Sequence, residues 1–165
     1  MLLQPDDKNN SVLHELIKLI KQKQPVKDVD QLVNFIPQYY SSVSKDELSS
    51  RDIIDLYGAL ISHWSFISQR RPGEVKLRVY NPDLVKDGWK SSHTIIEVCH
   101  DEMPFLVDTL LMEINRLGLN VHFIVHAGCI GVVRNKEGQL EAIMNSSCAE
   151  NTSGLHEAEI YIEID

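Results

Sequence analysis

Hydrophobic residues in the first part of the chain recur three or four positions apart, which is the spacing of helices. One amphipathic helix is predicted over residues 11–24 and is ended by Pro25. A second run, over residues 28–36, predicts another helix that Pro37 stops or kinks, since proline lacks the N–H that a helix interior needs.

Ser44 and Glu47 have the spacing of a capping box, which predicts the start of a short helical turn. A longer helix is predicted from Asp52 to Gln69, because apolar residues form one stripe along it. Arg70 and Arg71 follow at its end, and we interpret both as exposed partners of the helix dipole.

The period changes from helical to alternating after Gly73, which predicts strands. The predicted strands cover residues 75–79, 93–100, 121–127, 130–134, 140–144 and 157–165, and one helix covers 105–117. This order predicts an α+β fold, in which an N-terminal helical segment (1–73) precedes the first half of a ferredoxin-like antiparallel sheet (74–165) with helices on one face. A second helix is missing after the last strand, so we expect a truncated motif whose under-covered sheet face forms a homo-oligomer.

The net charge of −8 and the pI near 5.3 argue against binding to nucleic acid or to an anionic membrane, both of which need a basic surface. The N-terminus has no secretory signal, and the three cysteines show no CxxC pair. We therefore expect reduced thiols and a cytoplasmic location.

Six sequence blocks carry a resemblance to a known family. They are Arg71–Pro82, Gly88–Trp89, Ser92–Val98, His100–Thr109, Met112–Gly118 and Val121–His126. In this order they resemble the N-terminal region of the large bacterial NAD-specific glutamate dehydrogenases, and the resemblance extends from Tyr39 to Asp165. It implies an ACT-like regulatory domain whose parent enzyme uses NAD to convert L-glutamate to 2-oxoglutarate and ammonia.

The resemblance implies that this chain is non-catalytic by itself and that its partners are the remaining domains of the parent enzyme. The sequence agrees, since it contains no GxGxxG fingerprint for a dinucleotide. We therefore expect no catalytic residue and no cofactor in this chain. The alternative function is a free-standing ACT sensor that binds an amino acid.

The resemblance also places an effector-binding loop at Asp101, Glu102, Met103, Pro104 and Phe105. In ACT domains of the sensing type, an Asp and a Gly in this loop let backbone N–H groups approach the effector. Phe105 stands where the Gly would be, and we expect its side chain to block that approach. The alternative interpretation is that Asp101 and Glu102 cap the following helix and favour its dipole, and that Phe105 is an aromatic residue of the packing or of an interface.

Four histidines of the predicted sheet raise the question of a metal site. His122 and His126 lie four residues apart on one strand, roughly 13 Å from each other, which is too far for one zinc ion. His100 and His126 both lie at strand ends and could approach, whereas His93 begins a strand. Two ligands do not make a site, so we expect no metal.

Overall fold

The protein, represented by a computed structural model, is described over residues 7–145 and 155–165. These residues form six helices: α1 (Asp7–Lys23), α2 (Val26–Tyr39), α3 (Lys45–Ser49), α4 (Ile53–Ile67), α5 (Leu84–Asp87) and α6 (Leu106–Arg116). They also form five strands: β1 (Lys76–Tyr80), β2 (Thr94–Asp101), β3 (Val121–Arg134), β4 (Leu140–Met144) and β5 (Leu155–Ile164).

The five strands form one sheet in the order β1-β2-β5-β3-β4, and all neighbouring strands are antiparallel. The last strand, β5, lies at the centre, where it pairs with β2 from Thr94↔Ile164 to Asp101↔Glu157 and with β3 on its other side. This arrangement confirms the predicted α+β class with an antiparallel, ACT-like sheet.

Each face of the sheet has its own hydrophobic core. On one face, Val98, Ile160 and Ile162 pack with Ile114 of α6. On the other face, helices of the N-terminal segment contribute to a larger core that includes Tyr161 of β5. The sequence predicts helices on one face; in the structure α6 covers that face and the N-terminal helices cover the opposite one. The predicted division between residues 73 and 74 stays a prediction.

The edge strand β1 is only partly covered. Leu77 and Val79 lie opposite Val98 and Ile96 of β2, on the same face as α6. Each of the two β1 side chains is nevertheless 58% exposed. The α6 side of the sheet therefore ends in an exposed apolar strand edge.

Two helical features differ from the sequence prediction. Helix α2 begins immediately after Pro25 and continues through Pro37 to Tyr39. Pro37 leaves the helix without the one backbone hydrogen bond that its missing N–H would donate to the Val33 carbonyl, and the helix ends two residues later. The side-chain amide of Gln38 also donates a hydrogen bond to the Asn34 carbonyl at 3.1 Å. The short helix α5 was not predicted, and Asp83 caps it by accepting bonds from two backbone N–H groups.

The strands predicted over residues 121–127 and 130–134 are one strand, β3. A bulge between Ala127 and Ile130 shifts its register against β5, and the pairing then resumes. Cys129 lies in the bulge with a φ of 62°, a conformation that glycine adopts more easily. Gly128 and Cys129 interrupt the apolar pattern, which is why the sequence indicates two strands.

The cysteines differ in state. Cys99 is a free, buried thiol, whereas Cys129 forms a disulfide bond, so the expectation of three reduced thiols is wrong for Cys129. Among the described helices, none has both the length and the apolar character that a membrane-spanning helix requires.

Candidate functional site

The predicted effector loop connects β2 to α6. Asp101 is the last residue of β2, and Phe105 is the N-cap of α6 with a left-handed φ of 64°. This conformation favours glycine and costs another residue roughly 1–2 kcal/mol. The backbone therefore has the shape expected where an ACT domain carries glycine. The Phe105 side chain is 76% exposed and lies towards solvent.

Both carboxylates of the loop bind partners within the chain. Asp101 accepts a hydrogen bond from Arg70 at 2.8 Å. Glu102 accepts one from the backbone N–H of Cys129, and its own N–H donates to the His156 carbonyl. The loop is thus held to the β3 bulge and to β5. Effector binding by residues 101–105 stays a prediction.

Arg70 connects this loop to the helical layer. Its guanidinium is fully buried and donates to Asp101 through Nη2, to Glu157 through Nη1 and to the Glu74 carbonyl through Nε. The expectation that Arg70 is solvent-exposed is wrong. Two carboxylates compensate its charge, because a buried cation without partners would be very costly.

Glu157 receives a second arginine. Arg134 donates to both of its carboxylate oxygens at 2.8 Å. Burial acts to raise the pKa of Glu157, but the hydrogen bonds from Arg134 and Arg70 outweigh it and hold the pKa below its usual value. Glu157 is therefore an ionised carboxylate between two guanidinium groups.

A second buried group of charges lies between α4 and the sheet, next to the group formed by Arg70, Arg134 and Glu157. His63 is fully buried between Glu97, at 3.5 Å from its Nδ1, and Glu159, at 3.8 Å from its Nε2. Burial raises the pKa of Glu159 to about 7. Burial acts to lower the pKa of His63, but Glu159 and Glu97 outweigh that effect and raise it. The pair is therefore suited to hold a proton near neutral pH.

Cys99 joins the two groups of charges. Its thiol donates towards Glu159 at 3.3 Å and towards Glu157 at 3.5 Å. Burial, together with these carboxylates, raises the thiol pKa, so Cys99 is not a reactive thiolate. One ligand atom from each of these three residues lies within 4.8 Å of the others. The two guanidinium groups on Glu157 oppose a cation there, and the expectation of no metal stays a prediction.

Of the four histidines considered for metal binding, two lie side by side near the starts of β2 and β3, and a third lies next to Asp101. The rings of His93 and His122 stack at 4.2 Å, and His122 contacts Asp165 at 2.6 Å. His100 contacts the backbone carbonyl of Asp101 through Nδ1. These contacts make the three histidines part of local polar pairings.

Sequence reasoning missed the buried charges. Glu157, Glu159 and Glu163 alternate with isoleucines, and alternation normally indicates a solvent-facing polar side. In the structure this polar side faces the helical layer. A signal was present in α4, because His63 follows Leu60 by three residues and precedes Ile67 by four, on the buried stripe.

Comparison with known proteins yields two kinds of match. The family model "Glutamate dehydrogenase, ACT1 domain" matches residues 35–165. The NAD-specific glutamate dehydrogenase of Pseudomonas aeruginosa is 36% identical over 152 residues, which cover 92% of this chain and 9% of the relative. That of Halomonas elongata is 38% identical over 155 residues, covering 92% of this chain and 10% of the relative.

The chain thus spans about a tenth of the length of these relatives. No solved structure matches it. The matched region includes the buried charge network, the predicted effector loop and all five strands.

Proposed function

We propose, from the premise that this chain belongs to the glutamate dehydrogenase ACT1-domain family, that it is a non-catalytic regulatory and assembly module of a large NAD-dependent glutamate dehydrogenase. The parent enzyme oxidatively deaminates L-glutamate to 2-oxoglutarate and ammonia in the cytoplasm, and its NAD site lies outside this chain. The family match over residues 35–165 is the observation that carries this proposal.

The interior charges support a non-catalytic role. Glu163 accepts hydrogen bonds from Arg51, and Glu97 accepts one from Arg78. Glu157 accepts hydrogen bonds from both Arg70 and Arg134. A general acid or base must be free to exchange a proton with a substrate, whereas each of these carboxylates accepts hydrogen bonds from an arginine of the same chain. The network therefore suits a structural connection between helices and sheet.

Arg70 supports a regulatory role. The same guanidinium binds Asp101 of the predicted effector loop and the Glu74 carbonyl, which follows α4 in the chain. An effector that draws Asp101 away removes one of these bonds and so weakens the connection between loop and helical layer. A free-standing amino-acid sensor is the second candidate, and the glycine-like backbone at Phe105 favours it.

The edge of the sheet supports a role in assembly. The β1 backbone pairs on one side only, and Leu77 and Val79 beside it are exposed. Edge strands of this kind are templates for pairing with another chain. We propose that a second copy of the chain covers this edge.

An assay of NADH formation tests the non-catalytic role. This chain is mixed with L-glutamate and NAD, and absorbance is compared with that of the full-length polypeptide at equal molar concentration. The proposal predicts NADH formation by the full-length polypeptide and none by this chain. Turnover by this chain, lost when the protein is heat-unfolded, would overturn it.

A further inference from the structure

His63 of α4 faces one carboxylate on each of its two ring nitrogens. Nδ1 lies 3.5 Å from Oε1 of Glu97 on β2, and Nε2 lies 3.8 Å from Oε2 of Glu159 on β5. These four atoms are buried, and none of them makes a hydrogen bond within the described residues. The attraction between helix and sheet at this point is therefore electrostatic, and it depends on the charges of the ring and of the carboxylates.

This contact needs one proton more than a neutral histidine between two ionised carboxylates supplies. A neutral imidazole has one N–H donor and one acceptor nitrogen, so the acceptor nitrogen would face an ionised carboxylate. A further proton, on the ring or on a carboxyl group, removes this repulsion. Glu97 already has a cationic partner, since it accepts a hydrogen bond from Arg78 at 2.7 Å. The further proton therefore belongs to His63 and Glu159.

The basic side chains around this pair are engaged elsewhere and do not replace the proton. Their hydrogen-bond acceptors are Glu97 for Arg78, Glu157 for Arg70 and Arg134, and two backbone carbonyls for Lys76. Within the described part of the chain, none of these four cations donates a hydrogen bond to Glu159. Without the proton, Glu159 would thus be a buried carboxylate that has no cation bonded to it.

Three further ionisable side chains contact the pair. The Tyr39 ring of α2 stacks on His63 at 5.3 Å, and the Tyr161 ring lies edge-on to it at 6.2 Å. The Cys99 thiol donates towards Glu159 at 3.3 Å. Burial raises the pKa of both phenols and of the thiol, so all three groups are neutral near pH 7. Loss of the proton shared by His63 and Glu159 is therefore the event that changes the charge here.

The first half of α4 has little other polar connection to the sheet. In the described structure, the side chains of residues 53–61 make no hydrogen bond to a strand. Ser62 bonds to Tyr80, and the Ile67 carbonyl accepts a bond from Arg134, so the second half of the helix is tied to β1 and β3. A cavity of about 600 Å³ lies between the N-terminal end of α4 and the sheet. This cavity leaves room for the first half of the helix to shift.

We infer that His63 and Glu159 form a proton-dependent latch between α4 and the sheet, closed while the pair holds its proton and open at the first half of α4 when the proton is lost. Burial raises the pKa of Glu159 to about 7. Burial acts to lower the pKa of His63, but the two carboxylates outweigh it and raise that pKa. The latch therefore opens as pH rises above neutrality, because the closed form would then bury a carboxylate without a compensating cation.

This inference goes beyond the proposed function, because it concerns a conformational change of the chain itself. It is measured without L-glutamate or NAD. Failure of the NADH assay would leave the latch unaffected, and absence of the latch would leave the non-catalytic and assembly roles unaffected.

The test is amide hydrogen exchange of this chain, followed by mass spectrometry at about pH 6 and about pH 8.5, with each rate divided by the intrinsic rate at that pH. Opening that releases one proton changes up to about tenfold per pH unit, so protection of residues 56–61 should fall at least about tenfold. Protection of α6 should change less than about threefold. A smaller fall in α4, or an equal fall in α6 that indicates unfolding of the whole chain, would overturn the latch.

Variants at position 159 identify the proton. Glutamine and methionine do not titrate, so Glu159→Gln and Glu159→Met should each keep the same protection in α4, within about threefold, at both pH values. The matched control Glu113→Gln, at an exposed carboxylate of α6, should show the wild-type fall. Circular dichroism at about pH 6 establishes that each variant is folded. A wild-type fall in either folded variant at position 159 would place the proton elsewhere and overturn the inference.

Discussion

Glu159 is the carboxylate of the interior network that has no arginine of its own. Its charged partner is His63, at 3.8 Å, and burial raises its pKa to about 7. Between about pH 4.5 and pH 7, Glu159 therefore keeps its proton in the folded chain and releases it in the unfolded chain. At the scale of single residues, this shared proton is the most consequential feature of the interior.

The pH dependence of stability follows from this proton. From about pH 4.5 to about pH 7 the native state binds more protons at Glu159, so the free energy of unfolding falls as pH rises. The raised pKa of His63 continues the fall above pH 6.5. Glu157, whose pKa is lowered, acts in the opposite sense and loses its contribution only below pH 4.5.

Glutamine does not titrate in either state. We therefore expect Glu159→Gln to reduce the fall in the free energy of unfolding between pH 4.5 and pH 7 by on the order of 1–3 kcal/mol. Urea unfolding at a series of pH values measures the slope. Glu113→Gln, at an exposed carboxylate of α6, is the matched control and should keep the wild-type slope. An unchanged slope in Glu159→Gln would contradict the shared-proton account.

Phe105 gives a second prediction at this scale. Glycine relieves the cost of a left-handed φ, and the exposed phenyl ring loses little packing, so Phe105→Gly should be about 1 kcal/mol more stable than Phe105→Ala. Thermal and urea unfolding of the two variants give the difference. Equal stability would mean that the loop does not hold this conformation in solution.

At the scale of elements, Arg70 joins the end of α4 to β2 and β5. Arg70→Met leaves Asp101 without its arginine and Glu157 with one of two, so we expect a loss of about 3–5 kcal/mol. The neighbouring Arg71 is exposed, and Arg71→Met should change stability by less than about 0.5 kcal/mol. Equal effects of the two substitutions, measured by urea unfolding, would contradict the assignment.

The elements themselves were largely predictable, and their exceptions have local causes. The capping box at Ser44 is confirmed, since its side chain accepts a bond from the Glu47 N–H. The continuity of β3 was not predictable, because it depends on pairing with β5, which lies far along the chain. The burial of Arg70 was equally hidden, because local sequence carries no information about the carboxylates that compensate it.

At the scale of the whole molecule, the fold class and the family were predictable because the sequence blocks run through strands and helices in the observed order. A cavity of about 600 Å³ that Arg51 lines was not predictable from the sequence. Residues of α2, α4, β3 and β5 line it, and only the tertiary fold brings these elements together. The opposite, α6-covered face ends at β1, where Leu77 and Val79 remain exposed.

This exposed edge predicts association of the chain. Light scattering at tens of micromolar should give a dimer or a larger species, because a second copy buries Leu77 and Val79. The double variant Leu77→Lys/Val79→Lys should be monomeric. A monomeric wild-type chain would exclude this mode of assembly.

The most direct test of the module's role uses the full-length polypeptide that carries this chain. The measurement is the rate of glutamate-dependent NADH formation per subunit, followed as the enzyme is diluted, for wild type and for Leu77→Lys/Val79→Lys. Val85→Lys, at a residue that is already exposed, is the control.

We predict that on dilution the double variant loses activity earlier, at an enzyme concentration at least about tenfold higher than the one at which wild type and the control lose theirs. At high enzyme concentration its KM for NAD should equal that of wild type. This result would follow if the chain governs assembly without taking part in the chemistry. A double variant that matches wild type at every dilution, or one whose KM for NAD changes while its assembly does not, would contradict the account.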